Sequence, residues 1–242
     1  VRVTAPWKAF EVGQYILNNH GEIEFASTVT SSNKSKIIGV VIAKTNPRVS
    51  DAQLPEDCTH GIAVALGQAT SLKWWSDTPS SEPYNMYKYT ISSYNTKGYG
   101  DPRGVQYNAG SYSATEEGNK PGGYSNTELL RDMLSLHGLS SAVIQSVDAY
   151  GVQRPNGTSK WYLPSVYEMV QIYQCYKNNG LDKLLNDAGG SALTNWDYWT
   201  VSEVVNNENS YVGVVNPMTG TLKTKQKTST SSLPYLRYVI AF

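Results

Sequence analysis

The chain of 242 residues has few cysteines, histidines and phenylalanines, and no surplus charge of either sign. Each shortage excludes something. Two cysteines, Cys58 and Cys175, are too few for a disulfide scaffold. Cys175 falls beside the apolar face of an amphipathic helical pattern. The plain expectation is two unpaired buried thiols, and a bridge between them is the alternative. With three histidines, His20, His60 and His137, there is no zinc-ligand cluster and no His-Glu-x-x-His. Nucleophilic hydrolysis needs a base beside the nucleophile, and no Gly-x-Ser-x-Gly elbow occurs. His60 reads as a structural residue ahead of a strand, and His137 as a helix-end residue whose charge suits the dipole. Lys and Arg total 20 and Asp and Glu total 20, so the basic surface that nucleic acid requires is missing. No apolar run approaches the ~20 residues of a membrane helix. No signal-peptide pattern stands at the start, and this carries no argument about compartment.

Phosphate and sugar chemistry fare no better. Gly98-Tyr99-Gly100 and Gly118 to Gly123 lack the Gly-Lys-Ser/Thr helix start of a phosphate loop. Glu116-Glu117 and Glu203 are acids with nothing that marks them as a glycosidase pair. No catalytic residue, metal or cofactor is assigned.

What the chain does have is tyrosine: 18, with 6 tryptophans against 3 phenylalanines. Aromatics with a polar tip suit half-wet surfaces and interfaces. The segment 71–123 concentrates Tyr, Ser, Gly, Asn and Pro without a sustained period. A long insertion of that bias resembles the composition of antibody paratopes, and it fits a tyrosine-studded structural lid equally well.

The most legible stretch runs from Trp161 to Glu203. Ser165-x-x-Glu168 is a capping box, and Val166, Met169, Val170, Tyr173 and Tyr176 recur at helical spacing. Asn178-Asn179-Gly180 ends that helix, and Leu181 to Ala188 predicts a short second one before Gly189. Tyr198 to Glu203 alternates as a strand, and Leu236 to Phe242 is an apolar terminal strand. Upstream, Val12–Ile16 and Glu22–Phe25 flank Asn18-Asn19-His20-Gly21 as a hairpin. Val1 to Phe10 reads as a linker or entering strand. Ile37 to Ala43 and Gly61 to Leu66 predict buried strands. Ser125-x-x-Glu128 predicts a second capped helix ending at His137-Gly138, and Ser140 to Ala149 a third. Tyr211–Val215 and Thr219–Lys227 form a hairpin around Asn216-Pro217-Met218. The alternating Lys223, Lys225 and Lys227 fit edge-strand protection better than a binding stripe. Helices in the middle and strands at both ends give α+β with an antiparallel sheet, in which first and last strands can pair.

Trp161-Tyr162-Leu163-Pro164-Ser165, then Glu168, Gly189-Gly190, Tyr198-Trp199-Thr200-Val201-Ser202-Glu203 and the terminal Leu236-Arg237-Tyr238-Val239-Ile240-Ala241-Phe242 form an ordered set. With His60 to Leu66 and Gly123 to Thr127, that order resembles the C-terminal C-type-lectin-like domain of fimbrillin-like surface and pilus-tip proteins of gut bacteria. The resemblance implies a C-type-lectin-like α+β fold with an antiparallel sheet, two main helices and long loop insertions. It implies one decorated domain over 1–242, with 1–11 as linker or first strand and 71–123 as insertion. It further implies a non-enzymatic recognition or adhesion domain, extracellular on a cell surface or pilus, that binds glycan or protein. The alternatives are a structural pilus or adhesin subunit, with sister subunits as partners, and a carbohydrate-active hydrolase. Calcium-dependent lectins use Glu-Pro-Asn or Gln-Pro-Asp with Trp-Asn-Asp. Here Glu82-Pro83 precedes Tyr84, and Asn195-Trp196-Asp197 has the wrong order. The related formylglycine-generating enzymes act through cysteines near the C-terminal end, and none follows Cys175.

Three expectations follow from these residues. The ligand surface is drawn from Tyr94, Tyr99, Tyr107, Tyr112, Trp196, Asp197, Tyr198, Asn206, Asn207 and Tyr211. Trp161 and Trp199 are buried in one core. Glu203 and Arg237, charges in otherwise apolar strands, either meet as an ion pair or face water. Because the calcium motifs are broken, thermal unfolding in excess chelator should coincide with unfolding in millimolar calcium. A site held at ~100 times its Kd would add about 2.7 kcal/mol, so a rise of several degrees with calcium overturns this.

Overall fold

A computed structural model describes residues 9–76 and 85–242. Most of the proposed N-terminal linker, and the part of the insertion numbered 77–84 with its Glu82-Pro83, lie outside the described residues.

Ten strands and five α-helices follow one another along the described chain. Strands β1 (Tyr15–Asn19) and β2 (Glu22–Ala26) are the expected hairpin. Its two turn residues, His20 and Gly21, take φ of 55° and 91°, as the right-handed strand twist requires of a two-residue loop. β3 (Ile37–Lys44), β4 (Gly61–Ala69) and β10 (Leu236–Ala241) complete an antiparallel sheet in the order β10-β4-β3-β1-β2. The terminal strand therefore pairs with β4, not with β1, the first strand among the described residues, in place of the expected closure. Both faces of this sheet are covered, which is why β3 reads as an unbroken apolar run instead of an alternating one. Ile38, Val41, Ala63 and Ile240 join one core, and Val40, Ile42, Val64 and Val239 the other.

Helices α4 (Val166–Asn179) and α5 (Leu181–Asp187) supply Met169, Ile172, Cys175, Leu181 and Leu185 to the second core. The Ser165–Glu168 capping box is formed, with the Ser165 amide donating to Glu168 Oε2 at 2.8 Å. Gly180, in the left-handed region at φ 65°, ends α4. Cys58 and Cys175 are both buried and free, and burial pushes each thiol up to about 12.

The first core takes α2 (Gly123–His137) and α3 (Ala142–Asp148) through Leu129, Leu130, Met133, Val143, Ile144 and Val147. Here the second capping box fails. The helix starts two residues before Ser125, whose amide donates to Asp51 Oδ2 at 3.0 Å and whose hydroxyl also bonds Asp51. A carboxylate from a preceding loop thus satisfies an orphan amide of the first turn, and Glu128 turns to Arg131. Burial raises the pKa of Asp51, opposed by the hydrogen bonds from Ser125.

The insertion contains ordered elements: α1 (Met86–Thr90) and a hairpin of β5 (Val105–Asn108) and β6 (Ser111–Ala114). The remaining sheet is β7 (Tyr198–Glu203), β8 (Tyr211–Val215) and β9 (Leu222–Gln226), so the single expected sheet is three. Trp161 and Trp199 lie in one core, 5% and 0% exposed. Each indole N–H is satisfied, Trp161 by the Val152 carbonyl and Trp199 by that of Leu72. Trp199→Ala should cost about 3–5 kcal/mol in chemical denaturation. A loss below about 1 kcal/mol would show that this ring is not a keystone.

Candidate functional site

β7 ends inside the molecule on Glu203, whose side chain is 0% exposed. A buried carboxylate needs compensation on every side. Glu203 accepts the first amides of α1, Met86 N and Tyr87 N, each at 2.9 Å, and lies 2.6 Å from Lys227 Nζ. Lys227, itself 2% exposed, also donates to the Glu208 carbonyl at 2.6 Å. Glu203 and Arg237 therefore neither meet nor face water. Arg237 is caged by carbonyls: Ala65, Leu66 and Gly67 on Nη1, and Ser191 and Ala192 on Nη2. Lys227 also leaves the lysine stripe, because β9 ends one residue earlier and the chain turns it inward. Lys223 remains exposed, held by Asp197, and Lys225 is half-buried, held by the Ser231 carbonyl.

The loop 204–210 leaves the core from this anchor. Val205 N donates to the Val105 carbonyl at 2.8 Å, and Val204 bridges Val105. Asn209 bonds Asn85, the residue that caps α1. Glu208 lies 3.6 Å from Arg103, which pairs with Asp101 and stacks 3.5 Å above the Tyr87 ring centroid. Val105 also seats the β5–β6 hairpin on β8. A Cβ on Gly213 would meet Val105 Cγ2 at 2.7 Å, so only glycine allows this approach.

The hairpin, the loop and the outer sheet enclose an open groove of about 280 Å³, lined by Tyr107, Tyr112, Val204, Asn207, Tyr211 and Thr224. Tyr107 and Tyr112 are cross-strand partners with ring centroids 5.2 Å apart, and they remain 58% and 37% exposed. Tyr211 accepts from Gln226 Nε2 at 3.1 Å.

Of the ten candidate residues, Tyr107, Tyr112, Asn207 and Tyr211 come together here. Asn206 sits one residue away at φ 62°. Tyr94, exposed after α1, and Trp196 with Asp197, just before β7, lie outside the groove. Tyr99 and Tyr198 do not belong to any exposed surface. Tyr99 is 5% exposed and donates to Asp132 Oδ2 at 2.8 Å, and burial drives its pKa well up. Tyr198 is fully buried and donates to Gln68 Oε1 at 2.8 Å. A polar tip makes tyrosine as suited to a core edge as to a surface, so composition alone does not separate the two. Val204 belongs to the loop Val204 to Asn209, which was expected on the ligand side, and Thr224 was missed, although it stands between Lys223 and Lys225 on the strand. Among the described residues, no group of three or more His, Cys, Asp or Glu side chains is placed to hold a metal ion. Among them, no helix is long and apolar enough to cross a membrane.

The fold is similar to that of a fimbrial protein from Bacteroides ovatus. The likeness has a TM-score of 0.74 at 19% identity and covers 96% of this chain and 49% of that one. The chain thus spans about half of that protein's length, and the likeness carries the fold alone. No family model and no curated protein matches the chain.

Removing one partner of the buried pair, as in Lys227→Met or Glu203→Gln, should cost about 3–5 kcal/mol in urea unfolding. The double variant should cost less than the sum, because neither charge is then stranded. Additive losses, each below about 1 kcal/mol, would show that the pair is not what anchors the loop.

Proposed function

We propose that this chain is a non-enzymatic recognition domain of a fimbrial or adhesin protein, displayed outside the cell. The observation that carries this reading is the fold shared with a fimbrial protein across nearly the whole chain. The chain reads as one decorated domain of C-type-lectin-like type. Support for that type comes from the common burial of Trp161 and Trp199 and from the bridge between Tyr162 and Val239 of the terminal strand. The contact surface is the tyrosine groove, where rigid rings stand on a clamped loop. A surface of that kind loses little conformational freedom on binding. Partners within a fimbria or adhesin are expected as well, since the fold is like that of a fimbrial protein.

Immunogold labelling of intact cells that produce the protein tests this. Label on the outer surface or along filaments is the expected result. Label confined to permeabilised cells overturns it.

A further inference from the structure

We infer that the groove between the β5–β6 hairpin and β8–β9 binds a neutral carbohydrate chain, by stacking sugar rings on Tyr107 and Tyr112. This deepens the reading above and rests on it. The groove's lining is three tyrosines, a valine, an asparagine and a threonine, with no charged side chain. Most of the charges near it are matched by an opposite charge, and Lys225, beside Thr224, is turned to the Ser231 carbonyl. Arg103 is held by Asp101 and Glu208, Lys227 by Glu203, and Lys223 by Asp197. A phosphate, a sulfate, a uronic acid or a charged peptide therefore finds no counter-charge in the lining, whereas a neutral polyol needs none.

The chemistry of the lining is two-sided. The tilted pair of rings, 54° between planes, is open to solvent, and the C–H faces of pyranose rings stack on exposed aromatic rings. The Asn207 amide, the Thr224 hydroxyl and the tyrosine hydroxyls supply donors and acceptors for sugar hydroxyls at the edges of those rings. The groove is open, so a chain can lie along it instead of inserting an end. A protein partner fits less well. A stable protein interface buries roughly 800 Å² on each side around an apolar centre. Of the exposed large hydrophobic side chains among the described residues, Tyr107 and Tyr112 are the two that line the groove.

Affinity electrophoresis of the whole chain tests this, with gels containing yeast mannan, xylan, starch or a β-1,3-glucan, and with polygalacturonate and heparin as charged counterparts. At least one neutral polysaccharide should retard the protein, and retardation should be insensitive to salt. The double variant Y107A/Y112A should lose at least tenfold in affinity. Y107F, which keeps the ring face and gives up one hydroxyl, should lose much less than Y107A/Y112A, and W196A, an exposed ring outside the groove, should bind as the native chain does. Thermal unfolding checks that the variants fold, and both rings are exposed enough for their removal to be tolerated. Retardation by none of the neutral polymers, by the charged ones alone, or equally in Y107A/Y112A overturns the inference. Surface labelling of intact cells is independent of all these outcomes, so failure here leaves the display reading separately testable.

Discussion

Everything around the groove depends on one buried ion pair. Two charges taken out of water cost several kcal/mol each unless their remaining hydrogen-bonding capacity is met. Glu203 meets it with two amides at the start of α1, where the helix has donors to spare, and Lys227 with the Glu208 carbonyl. The requirement is strict, so the geometry is too. The start of α1, the end of β7, the loop that follows and the residue after β9 are all brought to one point. Apolar contact alone would let such elements slide; a buried charge pair with directed hydrogen bonds does not.

Arg237 meets the same constraint in another way at its two terminal nitrogens, while its buried Nε has no protein partner. It has five carbonyl acceptors around its two terminal nitrogens, three from the β4 segment and two from the chain after α5. The pairing of β10 with β4 shifts register just there, between Arg237 and Val239, where the ladder is irregular. Desolvation lowers the arginine pKa, but the guanidinium keeps its charge over any ordinary pH range. Both buried cations therefore stand at joins, Lys227 between the outer sheet and the insertion, Arg237 between the large sheet and the chain leading to β7.

This division explains what was legible in the sequence. Signals carried within a few residues read correctly: the Ser165–Glu168 cap, the Gly180 stop, the hairpin at His20-Gly21 and the unbroken run of β3. Partnerships across the chain did not. Glu203 and Arg237 stand out as charges in apolar strands, yet nothing local says that one meets Lys227 and the other a ring of carbonyls. Lys227 was hidden by its neighbours, because its alternation with Lys223 and Lys225 mimics a solvated edge. The Ser125–Glu128 spacing was present, but Asp51, far away in sequence, took the position that a local cap would have filled. The β5–β6 hairpin escaped because its turn uses Ala109 at φ 46° ahead of Gly110, where a turn signal would show asparagine or glycine.

The site sits where these two kinds of information meet. Its rings lie on a hairpin that contributes little to the core, fastened by Val105 against the bare backbone of Gly213. Its floor belongs to the outer sheet, and its wall to a loop clamped from beneath by Lys227. Ala114 packs beside Val105 against the cluster of Val166 and Val204, whereas the Tyr107 and Tyr112 rings stand toward solvent. The frame below them answers to burial, charge compensation and close backbone approach at once. A change at Tyr107 or Tyr112 therefore alters the surface presented without disturbing the fold, and a change at Glu203, Lys227 or Gly213 disturbs both. That asymmetry suits the recognition role proposed for the groove: a rigid seat whose chemistry is fixed, carrying contact residues that are free to differ.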